Sequence, residues 1–279
     1  MKAVWKTLAG FATATVLASS AQAAVVDQWT LNLPSVNGSQ VQTLSGLGAL
    51  GFGGESFVQN TISGKNLTFK ENGVFNIGQE ANGTSILDFG QLTGNYTGGT
   101  GTGVLGGTIS FNAGGTLDIY YNPTATYGKT GSGKANVGNR YGATDGILIA
   151  SFTQLAGGGG NINPNGSPDA NGQLTLLFEA SFLKAGVWQD GSGKELKSGT
   201  TFGFVTSNAS QDVNRIDPVL KQVLSGSPTA GNNAPTQFFV QNGGQLKLQA
   251  DTNAVPEPAS LAIMGVGLMG LAALRRRKS

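Results

Sequence analysis

The sequence predicts an all-β body, an antiparallel sandwich or barrel carrying one short helix, and three observations predict it. Apolar and polar residues alternate with a period of two along most of the chain, and turn-forming Gly, Asn and Asp punctuate those runs at short spacing. Neither Cys nor His occurs among the 279 residues, while Gly accounts for 45. Without cysteine no disulfide can staple the fold, so a packed core and a hydrogen-bonded sheet must hold it. Without histidine the commonest general base and metal ligand is missing, which excludes Ser-His-Asp, Cys-His and the usual zinc sites.

The elements follow in chain order. Leu67 and Phe69 alternate with Thr68 and Lys70, and Phe75 and Ile77 come after Glu71-Asn72-Gly73, which reads as the turn of a hairpin. Ile109 and Phe111 form the next apolar face, and Asn112-Ala113-Gly114-Gly115 turns the chain into Leu117, Ile119 and Tyr121. Gly146 to Phe152 is a further strand, and Gln173 to Leu183 another, with Leu174, Leu176, Phe178, Ala180 and Phe182 expected on one face. Thr200 to Thr206 follows, and Gln237 to Gln241 and Gln245 to Gln249 bracket Asn242-Gly243-Gly244 as a last hairpin. One helix is expected: Asp217 caps it, Pro218 occupies its first turn, Val219, Leu220, Val223 and Leu224 form its apolar stripe, and Gly226 ends it.

Two special segments flank this body, giving an expected organisation of 1–23, 24–254 and 255–279. Lys2 and Lys6 precede an apolar, small-residue run from Leu8 to Ala18, and Ala21-Gln22-Ala23 then supplies an A-x-A site, so a secretory signal peptide is expected to be cleaved before Ala24. At the other end Pro256-Glu257-Pro258 leads into the apolar run Ala259 to Leu274 and then Arg275-Arg276-Arg277-Lys278. As a helix that run covers roughly 24 Å, short for a permanent span and interrupted by Gly265, Gly267 and Gly270. Clustered cations stay on the cytoplasmic side, which places the body outside.

The order of triplet, apolar helix and terminal cations resembles the PEP-CTERM sorting signal of Gram-negative bacteria. That resemblance implies recognition by an exosortase, an integral-membrane processing enzyme, and a tail that holds the chain at the inner membrane only until processing. Within the body, Gly103 to Pro123 and Thr144 to Gly158 resemble a pattern of flocculation-associated PEP-CTERM proteins, which implies a role in flocs or biofilm with extracellular polysaccharide. Asn122, Thr124 and Lys129 stand where that family is more acidic, which argues against a metal role for the loop.

Charged residues make up only 11% of the chain, and six of its 17 cations lie in the two terminal segments. The remaining 11 face 15 acidic residues, so no basic patch supports nucleic-acid binding. Gly128 to Ala135 nearly matches a phosphate-binding loop, but Ala135 stands where a Ser or Thr belongs. Gly101, Gly103 and Gly106 match a dinucleotide fingerprint, yet a strand follows where a helix is required. Asn161, Asn163 and Asn165 have the rhythm of a calcium loop without its carboxylates, and with Asp169 they suit at most weak calcium binding.

The expected function is therefore that of an exported, non-catalytic surface or matrix protein without cofactor or resident metal. Tyr120, Tyr127, Tyr141 and Trp188 are the candidate glycan contacts, since an aromatic face with a polar tip suits a sugar ring. Two alternatives remain open: a glycan hydrolase or lyase using Asp118 and Glu179 on outward strand faces, and a purely structural surface-layer protein.

Overall fold

The computed structural model describes residues 28–36, 38–79, 86–129, 135–169, 172–199, 201–211 and 216–249. The expected signal peptide with Ala21, Ala23 and Ala24, and the tail with Pro256, Glu257, Pro258, Arg275, Arg276, Arg277 and Lys278, lie outside them.

Thirteen strands and one helix are described: β1 (Trp29–Leu33), β2 (Gln42–Leu47), β3 (Leu50–Ser63), β4 (Asn66–Gln79), β5 (Gln91–Val104), β6 (Thr108–Phe111), β7 (Thr116–Asn122), β8 (Ile147–Gln154), β9 (Gly159–Asn161), β10 (Gly172–Leu183), β11 (Trp188–Asp190), β12 (Thr201–Gln211), α1 (Pro218–Ser225) and β13 (Gln237–Gln249). Of the two architectures the sequence leaves open, the structure is the barrel. β3 pairs with β4, β4 with β5, β5 with both β6 and β7, β7 with β8, β8 and β9 with β10, β10 with β12, β12 with β13, and β13 back with β3. All these pairings are antiparallel. β6 and β7 run in the same direction along β5, and β8 and β9 along β10, so each pair acts as one interrupted strand and the ring has eight positions. Closing the sheet leaves the barrel wall without a free edge.

This register corrects two expected turns and the reversal expected at a third. Glu71-Asn72-Gly73 lies inside the continuous strand β4, where Gly73 pairs with Ser56 on one side and Tyr96 on the other. Asn242-Gly243-Gly244 lies inside β13, opposite Gly54, Gly53 and Phe52. In both cases the alternation keeps its phase through the glycine, so a straight strand buries both apolar runs whereas a hairpin would need new partners. Asn112 to Gly115 is an excursion between β6 and β7, which continue in one direction. A bulge between Ala180 and Phe182 shifts the register by one, so Phe182 turns outward, 42% exposed, instead of joining Leu174, Leu176, Phe178 and Ala180 inside.

One main core fills the barrel, and a sheet of β11-β1-β2 adds Trp29, Leu31, Leu33 and Trp188 to it. β2 runs directly into β3 and β11 follows β10, so this small sheet caps the end where β3 begins and β13 finishes. A second, smaller core lies outside the wall, where α1 packs Leu220, Val223 and Leu224 on Phe57, Val74 and Phe239. The helix has the expected ends: Asp217 accepts from the Val219 and Leu220 amides, Pro218 is in the first turn, and Gly226 closes it at φ 82°.

Candidate functional site

The middle of the barrel interior contains a polar cluster. Glu71 keeps the phase of Leu67 and Phe69 and therefore points inward, where Val58 and Gly99 are its cross-strand neighbours. Asn242 donates from Nδ2 to Ser56 Oγ at 2.7 Å, which leaves the Ser56 hydroxyl to hydrogen-bond Glu71. Enclosure among Phe75, Phe111, Leu174 and Phe178 pushes the Glu71 carboxyl up to about 7, against the opposing effect of Ser56. Beside it Tyr96 donates to Gln154 Oε1 at 2.5 Å, and burial together with the nearby Glu71 raises its phenol well above the ordinary range.

Glycine makes room for this cluster. A Cβ at Gly73 would lie 2.6 Å from Ser56 Oγ and 2.7 Å from Phe75 Cζ, and one at Gly99 would lie 2.2 Å from the Tyr96 hydroxyl. Side chains at those positions would displace the groups that form the cluster. Two small voids of about 20 and 30 Å³ adjoin Glu71, each room for a water molecule or two. Among the described residues the interior is thus a filled core with a polar spot, and the two voids beside Glu71 are far smaller than a small-molecule chamber.

On the outer wall at the far end, opposite the cap, Thr61, Thr68, Thr102 and Ser110 stand in one cross-strand row over β3, β4, β5 and β6. All four are exposed, and with Ser63, Asn66 and Thr108 they line an open groove of about 550 Å³. A polar outward face is the reverse of a lipid-facing barrel, whose outer band is apolar.

The chemistry-bearing segment outside the barrel is identified by comparison. A family model described as a PEP-CTERM protein-sorting motif matches residues 254–278. The chain carries a PEP-CTERM sorting motif. Comparison with curated proteins and with solved structures returned no match. The motif implies recognition by an exosortase and export with sorting to the surface of Gram-negative cells.

The structure scatters the aromatic candidates of the PEP-CTERM chain. Trp188 is a correction: it is 1% exposed, stacked on Trp29 at 5.7 Å, and donates Nε1 to Ile149 O, so no face is free for a sugar. Tyr127 and Tyr141 pack edge to face at 5.6 Å beside the outer core, and the Tyr127 hydroxyl is spent on Val74 O at 3.0 Å. Tyr120 is half-buried on the outward side of β7, next to Asp118. Arg140 and Tyr141 hold left-handed backbone at φ 52° and 63°, an arrangement fixed by Arg140 donating to Asn95 Oδ1 and to Val223 O near the end of α1.

Asp118 accepts from Ser151 Oγ at 2.6 Å, while Glu179 sits across β8 from it, opposite Thr153. Two strand spacings and two residues separate the carboxylate positions, about 12 Å between Cα atoms, on a convex wall. The asparagine-rich segment satisfies itself: Asn163 Nδ2 donates to Pro168 O at 2.9 Å, and Ser167 Oγ donates to Asn165 Oδ1 at 2.6 Å. Among the described residues no group of three metal-ligating side chains converges. After Lys129 the next described element is the single 3-10 turn Arg140–Gly142, where a phosphate loop would open a helix.

Proposed function

We propose that this PEP-CTERM chain is a non-catalytic surface or matrix protein that promotes flocculation or biofilm formation by associating with extracellular polysaccharide. The sorting motif at 254–278 carries the reading, because it commits the chain to the cell surface, where the barrel's outer wall meets the matrix. The geometry of the wall supports it. β13 finishes at Gln249 on the capped end, and the nine residues before the apolar run at Ala259 reach at most about 32 Å, so before processing the capped end is tethered towards the membrane. The hydroxyl row of Thr61, Thr68, Thr102 and Ser110 then faces away from the cell, about 28 Å further out from Leu50 to Thr61 along a tilted strand.

Each hydroxyl contributes little, and many copies displayed on one surface supply strength through multivalency. The low charge of the chain lessens repulsion between neighbouring cells. The test is the settling of cells lacking the gene, complemented with the full chain or with a chain stopped at Ala254. Restoration of flocs by the full chain alone supports surface display as the function; restoration by both makes a diffusible matrix component the better reading. Failure of the purified full chain to retain floc polysaccharide would overturn the glycan association.

A further inference from the structure

Glu71 is an acidic side chain, half-buried on the inward face of an apolar barrel, and among the described residues no cation is set against it. The elements around it contribute Ser56 and Val58 from β3, Tyr96 and Gly99 from β5, Phe111 from β6, Leu117 from β7, Gln154 from β8, Leu174 and Phe178 from β10, and Asn242 from β13. Tyr96 is the titratable group in that set, and its phenol stays protonated; the sequence of β12 contains no charged residue, and Glu55, Lys70 and Lys247 occupy the outward phase of their strands. A buried carboxylate without a cation is costly when ionised and is held neutral instead. The two voids beside it are the places where water would enter if it ionised.

We propose that Glu71 is a proton-operated latch for the far half of the barrel: protonated, it is a neutral member of the packed core, and on losing the proton it draws water into the adjoining voids and loosens β4, β5 and β10. Among the described residues the strands of the capped half carry no inward carboxyl, and that half stays closed. Burial raises the Glu71 carboxyl from its ordinary value of 4.5 to about 7, so between those limits the folded chain holds a proton that the unfolded chain has lost. The folding equilibrium is therefore most favourable below the lower limit, weakens as pH rises through the window, and levels off above about 7. The chain has neither His nor Cys, so other side chains of ordinary behaviour do not titrate near neutrality to mask the effect.

The experiment uses the full chain in mild detergent, wild type beside Glu71→Gln. Infrared spectra of the wild type should show a protonated-carboxyl band at pH 6 that disappears by pH 8.5 and is absent from the variant. Denaturant unfolding should show the wild-type folding constant falling on the order of a hundredfold between pH 5 and 8, while Glu71→Gln stays nearly flat. Amide exchange, corrected for its intrinsic pH dependence, should quicken in β4, β5 and β10 above pH 7 and remain unchanged in β1. No protonated band at pH 6 overturns the proposal, as does an undiminished pH slope in Glu71→Gln. Should that variant fail to fold, the wild-type infrared band and exchange pattern decide alone: loosening spread equally over β1 and β4 also overturns it.

Discussion

The two ends of the barrel are built on different principles. At the capped end Trp29 and Trp188 stack with both side chains buried, Phe152 meets Trp188 edge to face at 6.3 Å, and Leu31, Leu33 and Leu50 fill the space between them. From the middle of the barrel towards the far end, aromatic pairs such as Phe69 and Phe111 adjoin Glu71, Ser56 and Asn242, with two water-sized voids beside them. One end is a dry aromatic core, and beyond it lies an inward acid on whose protonation, as proposed above, the rest of the barrel depends. Strand number, pairing and direction are the same at both. The contrast teaches that a single inward carboxyl, at a phase set by its strand, is enough to make half of a barrel responsive.

The largest effect should come from breaking the dry end. Trp188→Ala removes the ring that stacks on Trp29 and should cost about 3–5 kcal/mol, read as a lower unfolding midpoint at every pH. Gly73→Ala presses on Ser56 and Phe75 and should cost about 1–3 kcal/mol, with a changed pH slope because the Glu71 neighbourhood is displaced. Asp217→Ala removes the helix cap outside both ends and should cost about 1 kcal/mol without altering that slope. The smallest stability effect belongs to the wall: the double change Thr68→Ala and Thr102→Ala should stay within about 0.5 kcal/mol while reducing retention of floc polysaccharide in a pull-down. Asp118→Asn should leave any polysaccharide turnover unchanged, and its loss would favour the enzyme alternative.

Much of the wall was legible because inward residues such as Leu117, Ile119 and Tyr121 recur at every second position, and the pleat requires that period. The helix was legible because Asp217, Pro218 and Gly226 act on the backbone within one turn of themselves. The polar spot was not, because Glu71 and Asn242 both belong to segments whose local chemistry favours turns. Trp188 was misjudged for a related reason: an aromatic residue in a strand suits a sugar-binding rim and a core equally, and the stacking partner Trp29 is remote in sequence. The signal that was available is phase: Leu67, Phe69, Glu71, Gly73, Phe75 and Ile77 keep one parity across the supposed turn.

The sequence by itself determined the all-β character, the capped helix, the exclusion of histidine and cysteine chemistry, and the sorting motif, since each rests on composition or on residues close together along the chain. Only the tertiary structure decided that the sheet closes into a barrel, that two Asn-Gly segments run straight through strands, and that Glu71 lies inside. Those outcomes depend on which strand lies beside which: a hydrogen-bonded neighbour on each side holds Gly73 extended, and closure of β13 on β3 turns one face of every strand into an interior.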